Sequence, residues 1–433
     1  MFKTIKNIWH VQDLRNRILF TLFIFLIYRI GSFVPVPGVN KDVFEATNNA
    51  AGNNLLGLLN TFSGGALKNF SIFALGIMPY ITASIIVQLL SMDVIPKFAE
   101  WAKQGEHGKK KMAQVTRYGT VILALIQAFA TSIGFNRLYG TEMVPNATFG
   151  DYLVIAIVLT AGTSFLMWLG EQITERGIGN GISLIIFAGI VASIPTHITT
   201  IAQSDFIIEG QPFINVVKSI AILLVCILIV IGVIYVQQAI RKIPVQYAKR
   251  VVGNKMYGGQ NTHIPLKINA AGVIPVIFAV SLLQFPVVIA SFWSTHAWAQ
   301  WITTHLSTNR PLGMVLYVIM IIGFTFFYTF VQMNPQQMAE NMKKNGGYIP
   351  GIRPGKATET YLTRVLTRLT MTGALFLAAI SILPMGLGAI AGLPSTVLIG
   401  GTSILIVIGV ALDTMKTIEG QLIKRHYKGF INK

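Results

Sequence analysis

The chain has 433 residues, of which 53% are hydrophobic and 12% are charged, and its formal net charge is +18. A soluble domain carries roughly 25% charged residues, so this composition excludes an ordinary water-soluble protein. It indicates an integral membrane protein in which the positions of the lysines and arginines must explain the excess of positive charge.

Ten apolar stretches follow one another along the chain, and each can cross about 30 Å of hydrocarbon as a helix of about 20 residues. Barrel strands would be about half as long and would alternate in polarity. We therefore expect an all-α, polytopic membrane protein. Its ten transmembrane helices are predicted near residues 18–36, 72–92, 115–135, 152–170, 182–201, 214–236, 271–292, 312–332, 370–390 and 396–412.

The segment after the first stretch, Asn53–Ser71, is only partly apolar and too short to cross a bilayer. Gly64 and Gly65 interrupt it. This pattern favours a short helix folded back into the membrane, which is tolerated only where protein or water surrounds the backbone. An ordinary helix lying in the membrane interface is the alternative.

Ten stretches divide into five plus five around residues 204–213. An odd number of spans per half gives the two halves opposite topology, as in many transporters with a central pathway. We therefore expect two inverted five-helix halves, residues 1–205 and 206–433. This division rests on the number of stretches alone.

The basic residues are distributed unevenly between the two sides of the predicted bundle. Of the 34 lysines and arginines, 28 lie on the side that carries both chain ends and 6 lie on the other side. Because positive charge is retained in the cytoplasm, this distribution predicts that both termini are cytoplasmic.

Two cytoplasmic loops, 239–268 and 334–368, are long and basic. The part of the first loop from Lys249 to Lys255 lies mid-loop, away from the span ends where charges set topology. One interpretation is that these loops are simply solvated. The other is that they dock to a polyanion or to an acidic protein surface.

Motifs for catalysis are missing from the sequence. It contains no HExxH, no paired-cysteine metal spacing, no GxSxG and no Walker A motif, so we predict no catalytic residues, no metal and no cofactor. All 16 acidic residues lie in loops or near span ends. Ion-coupled carriers normally keep carboxylates in mid-membrane, so this class is disfavoured together with membrane enzymes.

Several strings, in the expected order and over essentially the whole chain, resemble the SecY family, the central subunit of the bacterial protein-conducting channel. They are FALGIMPYITASI from Phe73, ERGIGNGIS from Glu175, YAKR from Tyr247, LKINAAGVIP from Leu266 and YIPGIRPG from Tyr348. The resemblance implies an hourglass channel of the cell membrane that secretes unfolded preproteins and releases membrane proteins sideways into lipid.

In that family an isoleucine-rich ring seals the pore around a passing chain. Stiff, apolar β-branched side chains exclude water without offering a charge that would trap a polypeptide. Without the resemblance, these isoleucines would be ordinary helix packing. The matching positions are Ile81, Ile85, Ile182, Ile186, Ile277 and Ile406.

The segment at about 57–70 is similar in position to the family's plug, which blocks the outer funnel of the resting channel. Its predicted residues are Leu59, Phe62, Gly64, Gly65 and Leu67. The family's lateral gate lies between spans two and three on one side and spans seven and eight on the other. Its polar candidates are Gln88, Gln127 and Asn269, for which plain helix packing is the alternative.

The resemblance also implies partners. Small subunits similar to SecE and SecG would complete a heterotrimer, and the basic loops would bind the ATPase SecA or the ribosome in turn. Unfolded preprotein, its signal sequence and the lipid bilayer are the other expected partners, and DNA is not. The candidate docking residues are Lys249, Arg250, Lys255, Arg353 and Lys356.

Overall fold

The structure is a computed structural model that describes residues 11–40, 60, 63–91, 95–139, 144, 148–203, 212–247, 250–252, 255–257, 261–291, 293, 296–306, 310–391 and 400–431. Its helices are α1 (Gln12–Gly31), α2 (Met78–Leu90), α3 (Pro96–Lys103), α4 (Glu106–Tyr139), α5 (Phe149–Arg176), α6 (Gly181–Gln203), α7 (Pro212–Gln238), α8 (Ile274–Ser291), α9 (Ala297–His305), α10 (Pro311–Gln332), α11 (Pro335–Lys344), α12 (Lys356–Ala391) and α13 (Gly400–Ile431).

Each of the ten predicted spans overlaps one of these helices, so the predicted polytopic helical fold is confirmed. Within the described residues, four helical segments are long and apolar enough to cross a membrane: Glu106–Asn136, Phe149–Arg176, Pro311–Lys344 and Lys356–Leu383. Shorter apolar helices occupy Met78–Leu90, Gly181–Pro195, Leu223–Gln238 and Ile274–Leu283.

The first predicted span has the wrong boundaries. It was expected at 18–36, but α1 begins at Gln12 and ends at Gly31. The helix starts early because polar residues continue it: Asp13 and Arg17 lie one turn apart as an ion pair of 3.7 Å. It stops early because residues 34–36 leave the helix and pair with the chain near Ser71 through a bridge at Pro35.

The chain forms two compact units. The first contains Met1–Glu209, Val280–Met314 and Met385–Lys433, and the second contains Gly210–Ala279 and Val315–Pro384. In the first unit the helices approach through glycines: a methyl group on Gly181 would lie 1.9 Å from the carbonyl oxygen of Gly170, which joins α6 closely to α5. Small residues at such crossings let membrane helices pack backbone against backbone.

The second unit carries a small antiparallel sheet that was not predicted from the sequence. It consists of β1 (Ile240–Tyr247), β4 (Asn261–Lys267) and β5 (Gly347–Tyr348). A separate hairpin consists of β2 (Arg250–Val252) and β3 (Lys255–Tyr257). Strand order is β4-β1-β5 in the larger sheet, and β2 pairs with β3. The register of β1 with β4 runs from Ile240↔Lys267 to Gln246↔Asn261.

A hydrophobic cluster fixes this sheet against α11 and α12. Its buried members are Ile243, Val245, Leu266, Ala339, Met342, Ile349, Leu362, Val365 and Leu366. The burial of so many apolar side chains makes the two basic loops one folded body, since residues from both loops contribute to one core.

Candidate functional site

Five of the six ring candidates lie in the first unit. Ile81 and Ile85 are four residues apart on α2, each 6% exposed, so they share one face of the helix. Ile186 on α6 is 4% exposed, and Ile406 on α13 is fully buried. Ile277 belongs to the second unit, where it is also buried.

Ile182, the remaining ring candidate, contacts a neighbouring helix. Its Cδ1 would lie 2.8 Å from a methyl group built on Gly170 of α5. This carbon therefore fills the groove where α5 and α6 cross. Such a contact is the ordinary helix packing that these isoleucines would have without the family resemblance. Its role in a ring stays a prediction.

In the described part of the plug candidate, residue 60 is helical and residues 63–70 form successive turns. Gly64 and Gly65 have φ angles of 65° and 86°, a left-handed conformation that only glycine adopts without strain. Leu59 and Phe62 lie outside the described residues. Leu67 is 4% exposed and packs into a core cluster with Phe70 of the same segment.

Gly64 places the plug candidate beside α6. A methyl group on Gly64 would lie 2.8 Å from Cα of Gly189. Gly189 follows Ile186 by three residues, so both lie on the same side of α6, about one turn apart. The turn at Gly64 thus lies against α6 about one turn from the ring candidate Ile186.

The residues just after the plug candidate are clamped on two sides. On one side the ring of Phe73 fills the space over Gly31 of α1, where a methyl group would lie 2.1 Å from it. On the other side, a methyl on Gly162 of α5 would lie 1.9 Å from the carbonyl oxygen of Ile72. These two glycines let the segment lie between α1 and α5.

Two of the three polar gate candidates form hydrogen bonds with residues close to them in the sequence. Nε2 of Gln88 donates to Oγ of Ser84 in its own helix over 3.3 Å. Gln127 is partly buried on α4. Asn269 is buried, and its Nδ2 donates to the carbonyl oxygen of Gly272 over 3.0 Å, inside the turn that precedes α8.

The second and seventh spans make a contact that was not predicted from the sequence. Oγ of Ser281 on α8 donates to Sδ of Met78 at the start of α2 over 3.9 Å, and both side chains are buried. Methionine sulfur is a weak acceptor, so this contact is weak. A buried serine in an apolar helix was the available sequence signal.

The described docking candidates lie on the β2–β3 hairpin and on the segment that follows β5, both in the second unit. Arg250 begins β2 and Lys255 begins β3, whereas Lys249 lies outside the described residues. Arg353 and Lys356 are exposed. Oγ1 of Thr358 donates to the carbonyl oxygen of Arg353 over 2.9 Å and so stabilises the turn at Arg353.

The sheet joins the two basic loops directly. Strand β5 pairs with β1 at Gln246↔Tyr348 and Tyr247↔Gly347. The Tyr348 hydroxyl donates to Oε1 of Gln246 over 2.9 Å, which ties the two loops by a side-chain bond as well. The two loops, which the sequence presents as separate, are thus joined in one sheet.

Comparison with known proteins agrees with this architecture. A model of the SecY family matches residues 71–415. The chain is 60% identical over 433 residues to protein translocase subunit SecY of Halalkalibacterium halodurans and 56% identical to that of Bacillus subtilis, with 100% of each chain covered in both cases.

Solved structures share the fold at low sequence identity. "The structure of a protein conducting channel" aligns with a TM-score of 0.63 at 19% identity, covering 94% of this chain and 93% of the other. "Sec61 in the Canine ribosome-channel complex from the endoplasmic reticulum" aligns with a TM-score of 0.58 at 18% identity, covering the same shares of the two chains.

Proposed function

The chain belongs to the SecY family, and from this premise we propose how it works as the passive, gated pore of a protein translocase. The relatives over its full length are protein translocase subunits, and this family consists of channel subunits and not of enzymes. In our proposal, unfolded preproteins pass through the pore and apolar helices leave it sideways into lipid.

The observation that carries the proposal is the position of Gly64 against Gly189, one turn along α6 from Ile186. A turn-rich segment next to an apolar ring is the arrangement that a resting channel needs. The ring of Ile81, Ile85, Ile182, Ile186, Ile277 and Ile406 would exclude water, and residues 57–70 would cover it as a plug.

The buried pair Met78–Ser281 supports a lateral gate between spans two and seven. The contact is a weak one between two side chains on different helices. In lipid, interhelical polar contacts contribute roughly 0.6–2 kcal/mol each, and this one belongs at the low end. Such a gate opens when an apolar signal sequence competes for the helix surfaces. Gln88, Gln127 and Asn269 would line its polar parts.

The joined loops form the proposed docking surface for SecA or the ribosome. Arg353 and Lys356 are exposed beside the sheet that holds β1 and β5 together, and Lys249, Arg250 and Lys255 belong to the first loop. The guanidinium of Arg353 offers a planar fork that matches phosphate or carboxylate oxygens, so it suits RNA or an acidic protein surface.

Small subunits similar to SecE and SecG would pack on the apolar outer surface. Exposed apolar side chains of α1 supply part of this surface, among them Leu22, Phe23 and Leu26. The distribution of lysine and arginine supports a cell-membrane protein with both termini in the cytoplasm and the plug on the outer side. The proposal also includes the predicted division into two five-helix halves of opposite topology, residues 1–205 and 206–433.

Reconstitution tests this function. Vesicles that contain this chain, a SecE-like subunit, SecA and ATP should import a secretory precursor and protect it from added protease. Vesicles prepared identically without this chain are the control. Import that is unchanged when this chain is omitted would overturn the channel function.

A further inference from the structure

The plug candidate is held by its main chain as well as by its side chains. The Tyr28 hydroxyl donates to the carbonyl oxygen of Ser63 over 2.9 Å. Nη1 of Arg29, the next residue, donates to the carbonyl oxygen of Gly64 over 2.9 Å. Two consecutive side chains at the end of α1 therefore hold two consecutive carbonyls of the plug candidate.

Both donor side chains also contact residues outside the plug candidate. Tyr28 is 2% exposed, and its ring stacks on Phe73 with a centroid distance of 6.1 Å. The guanidinium of Arg29 lies 4.6 Å from the ring centroid of Phe33, a cation–π contact. Since the donors are ordered by other contacts, little conformational entropy is lost when they bind the carbonyls.

The backbone at Gly64 allows this arrangement. A φ of 65° at Gly64 turns the chain so that the carbonyls of residues 63 and 64 both meet α1. A methyl group there would lie 2.8 Å from the Tyr28 hydroxyl oxygen, closer than real Cβ atoms approach another heavy atom. Glycine at this position therefore lets the hydroxyl reach the carbonyl.

The far end of the segment is held differently. The amide of Val36 donates to the carbonyl oxygen of Phe70 over 3.0 Å, and the amide of Ile72 donates to that of Val34 over 3.0 Å. These paired backbone bonds fix the base of the segment to the chain that follows α1. Release of the two side-chain bonds at residues 63 and 64 would leave that base attached.

We propose that Tyr28 and Arg29 are positioning residues that latch the plug over the resting channel, while the backbone bridge at residues 34–36 and 70–72 acts as its pivot. The proposal rests on the channel function proposed above. Because the latch acts on main-chain carbonyls, it holds the position of the plug independently of the plug's own side chains.

Thiol labelling measures the latch directly. Ala66 is fully buried in the plug candidate, so Ala66→Cys in a Cys226→Ser background places one protected thiol there. Tyr28→Phe and Arg29→Met each remove one hydrogen bond. Each variant should accelerate labelling of Cys at position 66 by a membrane-impermeant maleimide about three- to tenfold, the shift expected from one net hydrogen bond.

Matched controls separate the latch from a general loss of structure. Tyr118→Phe removes a hydroxyl from a tyrosine that is 63% exposed on α4, and Arg310→Met removes an exposed arginine at the start of α10. Neither should change the labelling rate. Arg29→Lys keeps a donor and a charge, so it should restore most of the protection that Arg29→Met loses.

The results discriminate clearly. If wild-type vesicles import the precursor and the latch variants label at the wild-type rate, the latch is wrong and the channel function stands. If the variants also lose import of the intact precursor and unfold at lower temperature, Tyr28 and Arg29 are general structural residues, which overturns the latch. If wild-type vesicles do not import, the channel function fails by itself.

Discussion

Gly64 lies against Gly189 with no side chain between them, since a methyl group on Gly64 would be 2.8 Å from Cα of Gly189 and 3.3 Å from its carbonyl oxygen. Both neighbouring atoms belong to the backbone of α6, which cannot swing aside as a flexible side chain would. The contact between the plug candidate and the helix of Ile186 is therefore specific to glycine.

Gly64→Ala should release the plug candidate from α6. The substitution adds a backbone clash to the strain of a left-handed alanine, which costs roughly 1–2 kcal/mol. Gly65→Ala is the matched control, because its φ is 86° but no atom lies within 4 Å of the added methyl. We expect faster labelling of a thiol at position 66 in both variants, and clearly more in Gly64→Ala. Equal rates would contradict the contact with Gly189.

Gly162→Ala should destabilise the first unit. The added methyl would lie 1.9 Å from the Ile72 carbonyl oxygen, so α5 must move away from the segment it clamps. Overpacking of this kind costs about 1–3 kcal/mol, and we expect a lower unfolding temperature in detergent. Gly232→Ala, with nothing within 4 Å of the new methyl, should be neutral or slightly stabilising. Wild-type stability of Gly162→Ala would be evidence against this packing.

The helices could be predicted because long apolar stretches have few other solutions in a membrane. The residues at which the helices begin and end were harder to predict. α1 begins with Asp13, Arg15 and Arg17, which a search for apolar residues leaves out, and it ends five residues before the predicted boundary at 36. The bridge to residues 70–72 ends it, and that partner is distant in sequence.

The sheet was missed for a physical reason. Pro244 lies inside β1, and proline inside a run normally argues against a strand. It is tolerated because β5 pairs only with Gln246 and Tyr247, so Pro244 has a strand neighbour on one side only. The Met78–Ser281 contact was missed because the sequence shows which residues are polar but not which helices meet.

Cysteines at Met78 and Ser281, in the Cys226→Ser background, should cross-link the proposed gate. A cysteine at position 78 ends one bond short of the Met78 Sδ, which lies 3.9 Å from Oγ of Ser281, so a short reducible linker such as a bis-methanethiosulfonate should join the two thiols. Because a signal sequence must separate the two helices, we expect the cross-linked protein to lose precursor import and to regain it on reduction. Either single-cysteine variant treated with the same linker is the control. Undiminished import through a fully cross-linked protein would exclude this pair from the gate.

Arg353→Glu should weaken docking of an acidic or phosphate-bearing partner. The side chain is exposed on the turn after β5, so reversing its charge leaves the core intact. We expect SecA-driven import to fall far more than the amount of the chain inserted in the membrane. Arg310 is also exposed, and it is one of the six basic residues on the side opposite both chain ends, so Arg310→Glu should leave import nearly unchanged. Equal loss of import and of inserted protein would mean that Arg353 serves folding.

Gly347 allows a test of the β1–β5 pairing that joins the two basic loops. A methyl group there would lie 2.8 Å from Cε1 of the Tyr247 ring, so Gly347→Val should push Tyr247 aside and part β5 from β1. The Arg353 turn would then lose its anchor, and we expect faster proteolysis within residues 345–355 together with reduced SecA-driven import. Tyr247→Ala removes the obstacle, so the double variant should recover much of the protection. If Gly347→Val instead behaves like wild type in both assays, the loops dock independently and the shared sheet has no part in it.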